Sequence, residues 1–346
     1  MTTSQCSTEA TAHLDQIALF AQLALEQYGV EYQGTVSLLT HSENSTYVVT
    51  TPVGVKYVMR VHRAGYHSKV AIASELAWTA ALTVSGIEVP ISIPGLDGDS
   101  LQEVKCIGQG ERYVVLFHWI DGCEPSKTEL TTSFRRLGQM TAKLHVHSRQ
   151  WQRPTWFERP IWTHETMVGE GAAWGRWQDA PYLTDAGRVV IAQAVAKIQG
   201  ELQEYGSAPE LFGLIHADLR LTNLLVQGDQ TRIIDFDDCG FSWLMHDLAA
   251  AMSFFEHDPD LGFWIENWLI GYVSEAEVSE RDVAMIPTFV TQRRIQLLAW
   301  MGTHQGVPQA DCLGSIWVDQ TVALCEQYLK NALLADLPKF SQLLAQ

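Results

Sequence analysis

Basic residues are scarce in this sequence. There are 23 lysines and arginines against 40 aspartates and glutamates, a formal net charge of -17. Such a chain repels phosphate backbones, which argues against nucleic acid as a partner. An acidic pocket would attract a cationic substrate, although a solvated acidic surface is the commoner meaning of this composition. Long apolar runs are also missing. None reaches about 18 residues, so no membrane partner or span is expected. The cysteines are few and scattered: Cys6, Cys106, Cys123, Cys239, Cys312 and Cys325, with no CxxC pair. They read as reduced thiols of a cytoplasmic protein. Met1 to Ala12 has neither a basic start nor an apolar core, so no secretory signal is expected. No GxxxxGK[ST] occurs, which removes a Walker-type nucleotide site. There is no internal repeat and no low-complexity tract.

What is present is enough for a large core, in one domain or two lobes: 346 residues, 47% of them hydrophobic. The most informative stretch runs from Leu214 to Asp238. Leu224 to Val226 form an apolar run, Gly228-Asp229-Gln230 a turn, and Arg232 to Ile234 a second, β-branched run. This reads as a β-hairpin. Pairing Gln227 with Thr231, Val226 with Arg232 and Leu224 with Ile234 sets Asn223 opposite Asp235, with Cβ atoms roughly 5 Å apart. Asp218 lies shortly before Asn223 in a loop introduced by His216. Two carboxylates and a carboxamide are hard oxygen ligands, suited to magnesium and not to zinc.

The pattern H-x-D-x-x-x-x-N followed by D-F-D resembles the catalytic and metal loops of kinases. Ala217 stands where a eukaryotic protein kinase would carry arginine. The stretches HADLRLTN and IDFDDCG, with a later DLA, resemble the aminoglycoside phosphotransferase and choline kinase superfamily. Within it they are most similar to the branch of type II homoserine kinases and stress response kinase A. The resemblance implies an α+β, bilobal, protein-kinase-like fold. An N-terminal antiparallel sheet lobe over residues 1–119 would cover the nucleotide. A larger, mainly helical lobe over residues 120–346 would hold the catalytic loop, the metal site and the substrate pocket. It implies ATP and Mg2+, with Asp218 as catalytic base, His216 bracing the loop, and Asn223 and Asp235 as metal ligands. Arg220 would reach the transferring phosphoryl or pair with Asp237 or Asp238. Asp247 would brace the catalytic loop.

Earlier in the chain, a helix is expected over Thr11 to Tyr28 and strands at Val36–Leu39, Tyr47–Thr50 and Val55–Val61. Between the first two strands, where kinases cover the phosphates, Asn44 and Ser45 are candidate phosphate contacts, or members of an ordinary polar turn. Alternation on the third strand puts Tyr57, Met59 and Val61 on one face and Lys56, Val58 and Arg60 on the other. Arg60 occupies the place of the usual ATP-binding lysine, with Lys56 as its rival. Glu75, in a helix over Val70 to Ser85, is Arg60's expected ion-pair partner. A hairpin over Glu103–Cys106 and Arg112–Trp119 leads to a hinge in which Phe117 and Trp119 flank the adenine site.

Beyond the hinge the pattern turns helical. A segment with Trp151, Trp156, Trp162, Trp174 and Trp177 reads as core more than as a substrate lid. Helices are expected from His246 to about Phe255, over Leu261–Tyr272, Ala284–Gly302 and Ile316–Leu334. The expected reaction moves the γ-phosphoryl group of Mg-ATP to a hydroxyl of a small substrate. The acids Asp237, Asp238, Asp247 and Glu256 favour an amine-bearing one: homoserine-like, choline-like or an aminoglycoside. A Ser/Thr protein kinase of the stress response type and a non-catalytic pseudokinase are the alternatives. The oligomeric state is not legible.

Overall fold

The computed structural model describes residues 3–337, except 43, 127, 128 and 229. The chain is an α+β protein and divides into two compact units. One comprises Met1–Asp121 with Arg153–Glu158, the other Gly122–Gln152 with Arg159–Gln346.

The first unit contains α1 (Thr3–Leu25), β1 (Thr35–His41), β2 (Ser45–Thr50), β3 (Lys56–Val61), α2 (Lys69–Val84), β4 (Ser92–Ile93), β5 (Leu101–Cys106) and β6 (Gly110–His118). The strands make one antiparallel sheet in the order β1-β2-β3-β6-β4, with β5 also paired to β6. Helix α1 starts at Thr3, well before the expected Thr11. Strand β3 shows how pattern becomes packing. Tyr57, Met59 and Val61 pack with Phe20, Ala24 and Leu25 of α1. Val58 packs instead with Ile72 and Leu76 of α2. Strand β6 alternates in the same way, Val114 and Leu116 joining the α1 cluster and Val115 and Phe117 the α2 cluster. Each buried apolar side chain contributes about 1.5–3 kcal/mol. A one-residue slip would send all of them to the wrong helix, so the register is firmly specified.

The second unit contains α3 (Leu130–Gln150), α4 (His164–Val168), α5 (Asp185–Tyr205), β7 (Phe212–Ile215), β8 (Leu224–Gln227), β9 (Gln230–Ile233), β10 (Gly240–Trp243), α6 (His246–Ala251), α7 (Leu261–Val273), α8 (Glu280–Ala284), α9 (Ile286–Thr303), α10 (Pro308–Asp311) and α11 (Gly314–Leu329). Helices α3 and α7 touch backbone to backbone. A Cβ on Gly138 would lie 1.9 Å from the Trp268 carbonyl oxygen, and one on Gly271 would lie 1.9 Å from that of Arg135. Helix α9 is buried without a break from Thr288 to Met301, so it has no solvent face. The helix starting at His246 stops at Ala251, short of Phe255, whereas the expected helix over Ala284–Gly302 forms as α9.

The expected hairpin forms, with its register shifted by one residue. Gln227 faces Gln230, Val226 faces Thr231, Leu225 faces Arg232 and Leu224 faces Ile233. Gly228 at φ +61° explains the difference. A positive φ suits a two-residue loop whose twist matches the strands, where the sequence reading had assumed three turn residues. Asn223 therefore does not face Asp235. Ile234 N donates to the Asn223 carbonyl oxygen at 2.9 Å, and Asp235 follows one residue later, itself at φ +65°.

Candidate active site

The residues singled out from the sequence form two groups, one in each unit, and each group has its own local cause. In the first unit Arg60, on the α2 face of β3, meets Glu75 of α2: Nη1 to Oε1 is 2.7 Å. Both are buried, so Glu75 is not a solvent-facing helix acid. The Arg60 guanidinium also lies 5.3 Å from the centroid of the Phe117 ring. Lys56 is exposed, with Nζ 5.2 Å from the Trp119 ring, while Trp119 Nε1 donates to Asp121 Oδ1 at 2.9 Å. Asn44 Oδ1 accepts from Arg63 N at 3.0 Å, and Ser45 Oγ is 2.8 Å from His41 Nδ1. Those two side chains thus hold the β1–β2 turn together.

In the second unit the short ribbon of β7 and β10 delivers His216 and Asp218 from one strand and receives the chain after Asp235 on the other. Ala217 sits at φ +66°, a conformation that costs a non-glycine residue roughly 1–2 kcal/mol. Asp247, the second residue of α6, holds it there. Its Oδ1 accepts from Ala217 N at 2.7 Å and its Oδ2 from His216 N at 3.1 Å. Oδ2 also accepts from His145 Nε2 of α3 at 3.0 Å, and Tyr272 OH lies 2.9 Å from His145 Nδ1. Burial alone would raise the Asp247 pKa. The hydrogen bond and charge of His145, with His216 and His246 nearby, instead leave it below the ordinary carboxylate value.

His216 is fully buried. Its Nδ1 accepts from Asp218 N at 3.4 Å and its Nε2 donates to Ile234 O at 3.2 Å, with its ring against Phe236. It thereby ties the Asp218 loop to the segment carrying Asp235. Burial lowers its pKa against the opposing charges of Asp247 and Asp218, which keeps the imidazole neutral for those two bonds.

The Asp218 carboxylate is gripped from three directions. Arg220 Nε and Asn223 Nδ2 each donate to Oδ2 at 3.1 Å, and Arg293 Nη2 of α9 donates to Oδ1 at 2.5 Å. Asn223 Nδ2 also donates to the Asp218 carbonyl oxygen at 2.8 Å. A carbonyl only accepts, so the Asn223 amide nitrogen must face inward and its Oδ1 is left as a hard oxygen ligand. Asn223 Oδ1 and the carboxylate of Asp235, which follows Ile234 in the segment bonded to Asn223, are hard oxygen donors of the kind magnesium takes.

Arg293 was not among the residues the sequence reading singled out. The signal was there: Arg293-Arg294 is the one pair of charges inside an otherwise uncharged helix. Arg159 was missed as well, and Trp162 had been read only as core. Arg159 Nε donates to Cys239 O at 2.6 Å and its Nη2 to Asp237 O, while Trp162 Nε1 donates to Asp238 O at 2.8 Å. The Trp-rich segment thus supplies core. Trp162, Trp174 and Trp177 are buried, and Trp156 is exposed. Of the four acids read as an amine-binding cluster, Asp247 is consumed by the loop. Glu256 is consumed by a buried ion pair, 2.7 Å from Arg294 Nη1. They are structural, because burial forces each to take a fixed partner.

The model of the phosphotransferase enzyme family (APH) matches residues 35–282. A solved structure of a microcompartment-associated aminopropanol kinase is 40% identical, with a TM-score of 0.84, over 91% of this chain and 99% of that one. Amicoumacin kinase of Bacillus subtilis (strain 168) is 22% identical over 284 residues, 79% of this chain and 81% of that one. The structure of amicoumacin kinase hAmiN in complex with AMP-PNP, Ca2+ and Ami shares the fold. Its TM-score is 0.76 at 20% identity, over 97% of this chain and 99% of that one.

Proposed function

The chain belongs to the phosphotransferase enzyme family, and from that premise we propose that it moves the γ-phosphoryl group of Mg-ATP to the hydroxyl of a small amino alcohol. The observation that carries the substrate class is the 40% identity to an aminopropanol kinase across 91% of the chain. The geometry around Asp218 supports the chemistry. Phosphoryl transfer needs positioning and charge neutralisation more than covalent help. Asp218 orients the acceptor hydroxyl and takes its proton late. His216 and Asp247 fix the backbone on which Asp218 stands. Asn223 and Asp235 would hold magnesium, which when bound neutralises charge on the phosphates. Arg60, kept in place by Glu75, would contact the nucleotide phosphates. Asn44 and Ser45 would close the phosphate side through backbone groups, since their side chains already have partners.

The test is an ADP-release assay with aminopropanol, ethanolamine, choline, homoserine, an aminoglycoside and a generic protein acceptor. An amino alcohol should exceed the others in kcat/KM by at least ~10²-fold, since rejecting an analogue that leaves buried polar groups unpaired is worth that much. Preference for the protein, for homoserine or for the aminoglycoside would overturn the substrate class. Asp218→Asn should lower turnover by about 10²–10⁴ with nucleotide still bound.

A further inference from the structure

A carboxylate offers about four acceptor positions, two on each oxygen. On Asp218, Oδ2 has both filled, by Arg220 Nε and Asn223 Nδ2. Oδ1 has one filled, by Arg293 Nη2. Among the described residues a single acceptor position therefore remains unfilled, on Oδ1, beside the Arg293 contact. Arg293 itself has no freedom. Its Nε donates to Ser253 Oγ at 3.1 Å, its Nη1 to Gln296 Oε1 at 3.2 Å, and the Trp174 ring lies 4.9 Å from its guanidinium. Its exposure is only 1%, so it reaches Asp218 from inside the protein.

We propose that Arg293 is a positioning residue that fixes Asp218 Oδ1 as the acceptor of the substrate hydroxyl's hydrogen while Arg293 itself touches no substrate. This rests on the reading of Asp218 as the group that takes the hydroxyl proton. In the step the alcohol oxygen forms a bond to the γ-phosphorus. The bond from that phosphorus to the β,γ-bridging oxygen breaks, and its electron pair leaves on ADP. The alcohol proton passes to Oδ1. Arg220 is a weaker anchor because it shares Oδ2 with Asn223 and is partly exposed. Among the described residues Arg293 is the one side chain that donates to Oδ1, so it sets that oxygen's place most directly, and misplacing a reacting group by about 1 Å costs on the order of 10² in rate.

The experiment is a double-mutant cycle on the full chain. Arg293→Met, Asp218→Asn and the double variant are compared with wild type for slow ATP hydrolysis by water and for transfer to an amino alcohol. Nucleotide affinity and melting temperature are measured alongside. Arg293→Met should lower kcat about 10²-fold with nucleotide affinity unchanged. The double variant should be no slower than Asp218→Asn, because a residue acting only through Asp218 has nothing left to position. Arg293→Lys should recover part of the rate, since an ammonium still donates to Oδ1. If Arg293→Met does not fold, Ser253→Ala loosens the same guanidinium and should lower kcat several-fold with nucleotide affinity unchanged. Additive losses in the cycle would overturn the proposal, as would wild-type kcat in a folded Arg293→Met or, failing that, in Ser253→Ala. Hydrolysis by water needs no alcohol, so the cycle stands even if no amino alcohol is accepted. Full activity in Asp218→Asn would instead remove the reading on which the proposal rests.

Discussion

Replacing Asp247 by alanine should cost both stability and turnover, and the structure sets the scale. The carboxylate accepts from Ala217 N, His216 N and His145 Nε2, all buried. A buried donor left without an acceptor costs about 1–3 kcal/mol. Three would cost several, less what water in the vacated space returns. Breaking a buried charged interaction from one side costs about 3–5 kcal/mol, and the same figure is expected here. For a unit of this size, with roughly 2–4 °C lost per kcal/mol, the melting temperature should fall by about 10 °C. Turnover should fall about 10²-fold, because Ala217 carries Asp218 and leaves its left-handed conformation once unsupported. Differential scanning calorimetry and the ADP-release assay read the two effects. Adding Ala217→Gly should return about 0.5–1 kcal/mol, since glycine takes φ +66° without strain. An Asp247→Ala protein that melts within about 2 °C of wild type and turns over normally would refute the account of how the loop is held.

Further outcomes follow from other contacts. Arg60→Met should weaken ATP use sharply, Arg60→Lys should recover part of it because a point charge cannot make two parallel bonds, and Lys56→Met should matter much less; initial rates against ATP concentration decide. Gly271→Ala places a Cβ 1.9 Å from the Arg135 carbonyl oxygen, so α3 and α7 must part and the denaturation midpoint should drop substantially, whereas Gly200→Ala, with nothing near its Cβ, should not lower it. His246 is held neutral by burial with Arg293 nearby, its pKa pushed down from 6.5 to about 3. The unfolded chain therefore binds that proton first, and the stability His246 contributes is fully present above about pH 6.5 and lost as pH falls toward 3; urea midpoints rising as pH is lowered through that window would contradict it.

Strands β3 and β6 of the first unit were legible because their two faces pack on different helices, which leaves a clear alternation. That His216, Asp218 and Asn223 would gather in one loop was legible from residue type and spacing. The hairpin register was not, because one glycine in the left-handed region decides between two and three loop residues and hydrophobic pattern is blind to that choice. Glu256 looked like free charge on paper, and only its burial against Arg294 shows it committed. Asp247 was read both as part of an acidic cluster and as a brace of the Asp218 loop, and its bonds from His216 N and Ala217 N match the brace. Arg293 was illegible as a partner of Asp218, since nothing local in a helix says what lies beyond its far end.

The grip on Asp218 also has a consequence for the timing of synthesis. The hairpin and its loop are nearly local in sequence and can form within microseconds of emerging. Arg293 comes 75 residues after Asp218, and chains grow at about 5–20 residues per second. For several seconds a nascent chain holds the Asp218 loop but lacks the guanidinium that donates to Oδ1. On the inference above, that fragment is a poor catalyst, and competence arrives only when the helix with no solvent face is packed into place.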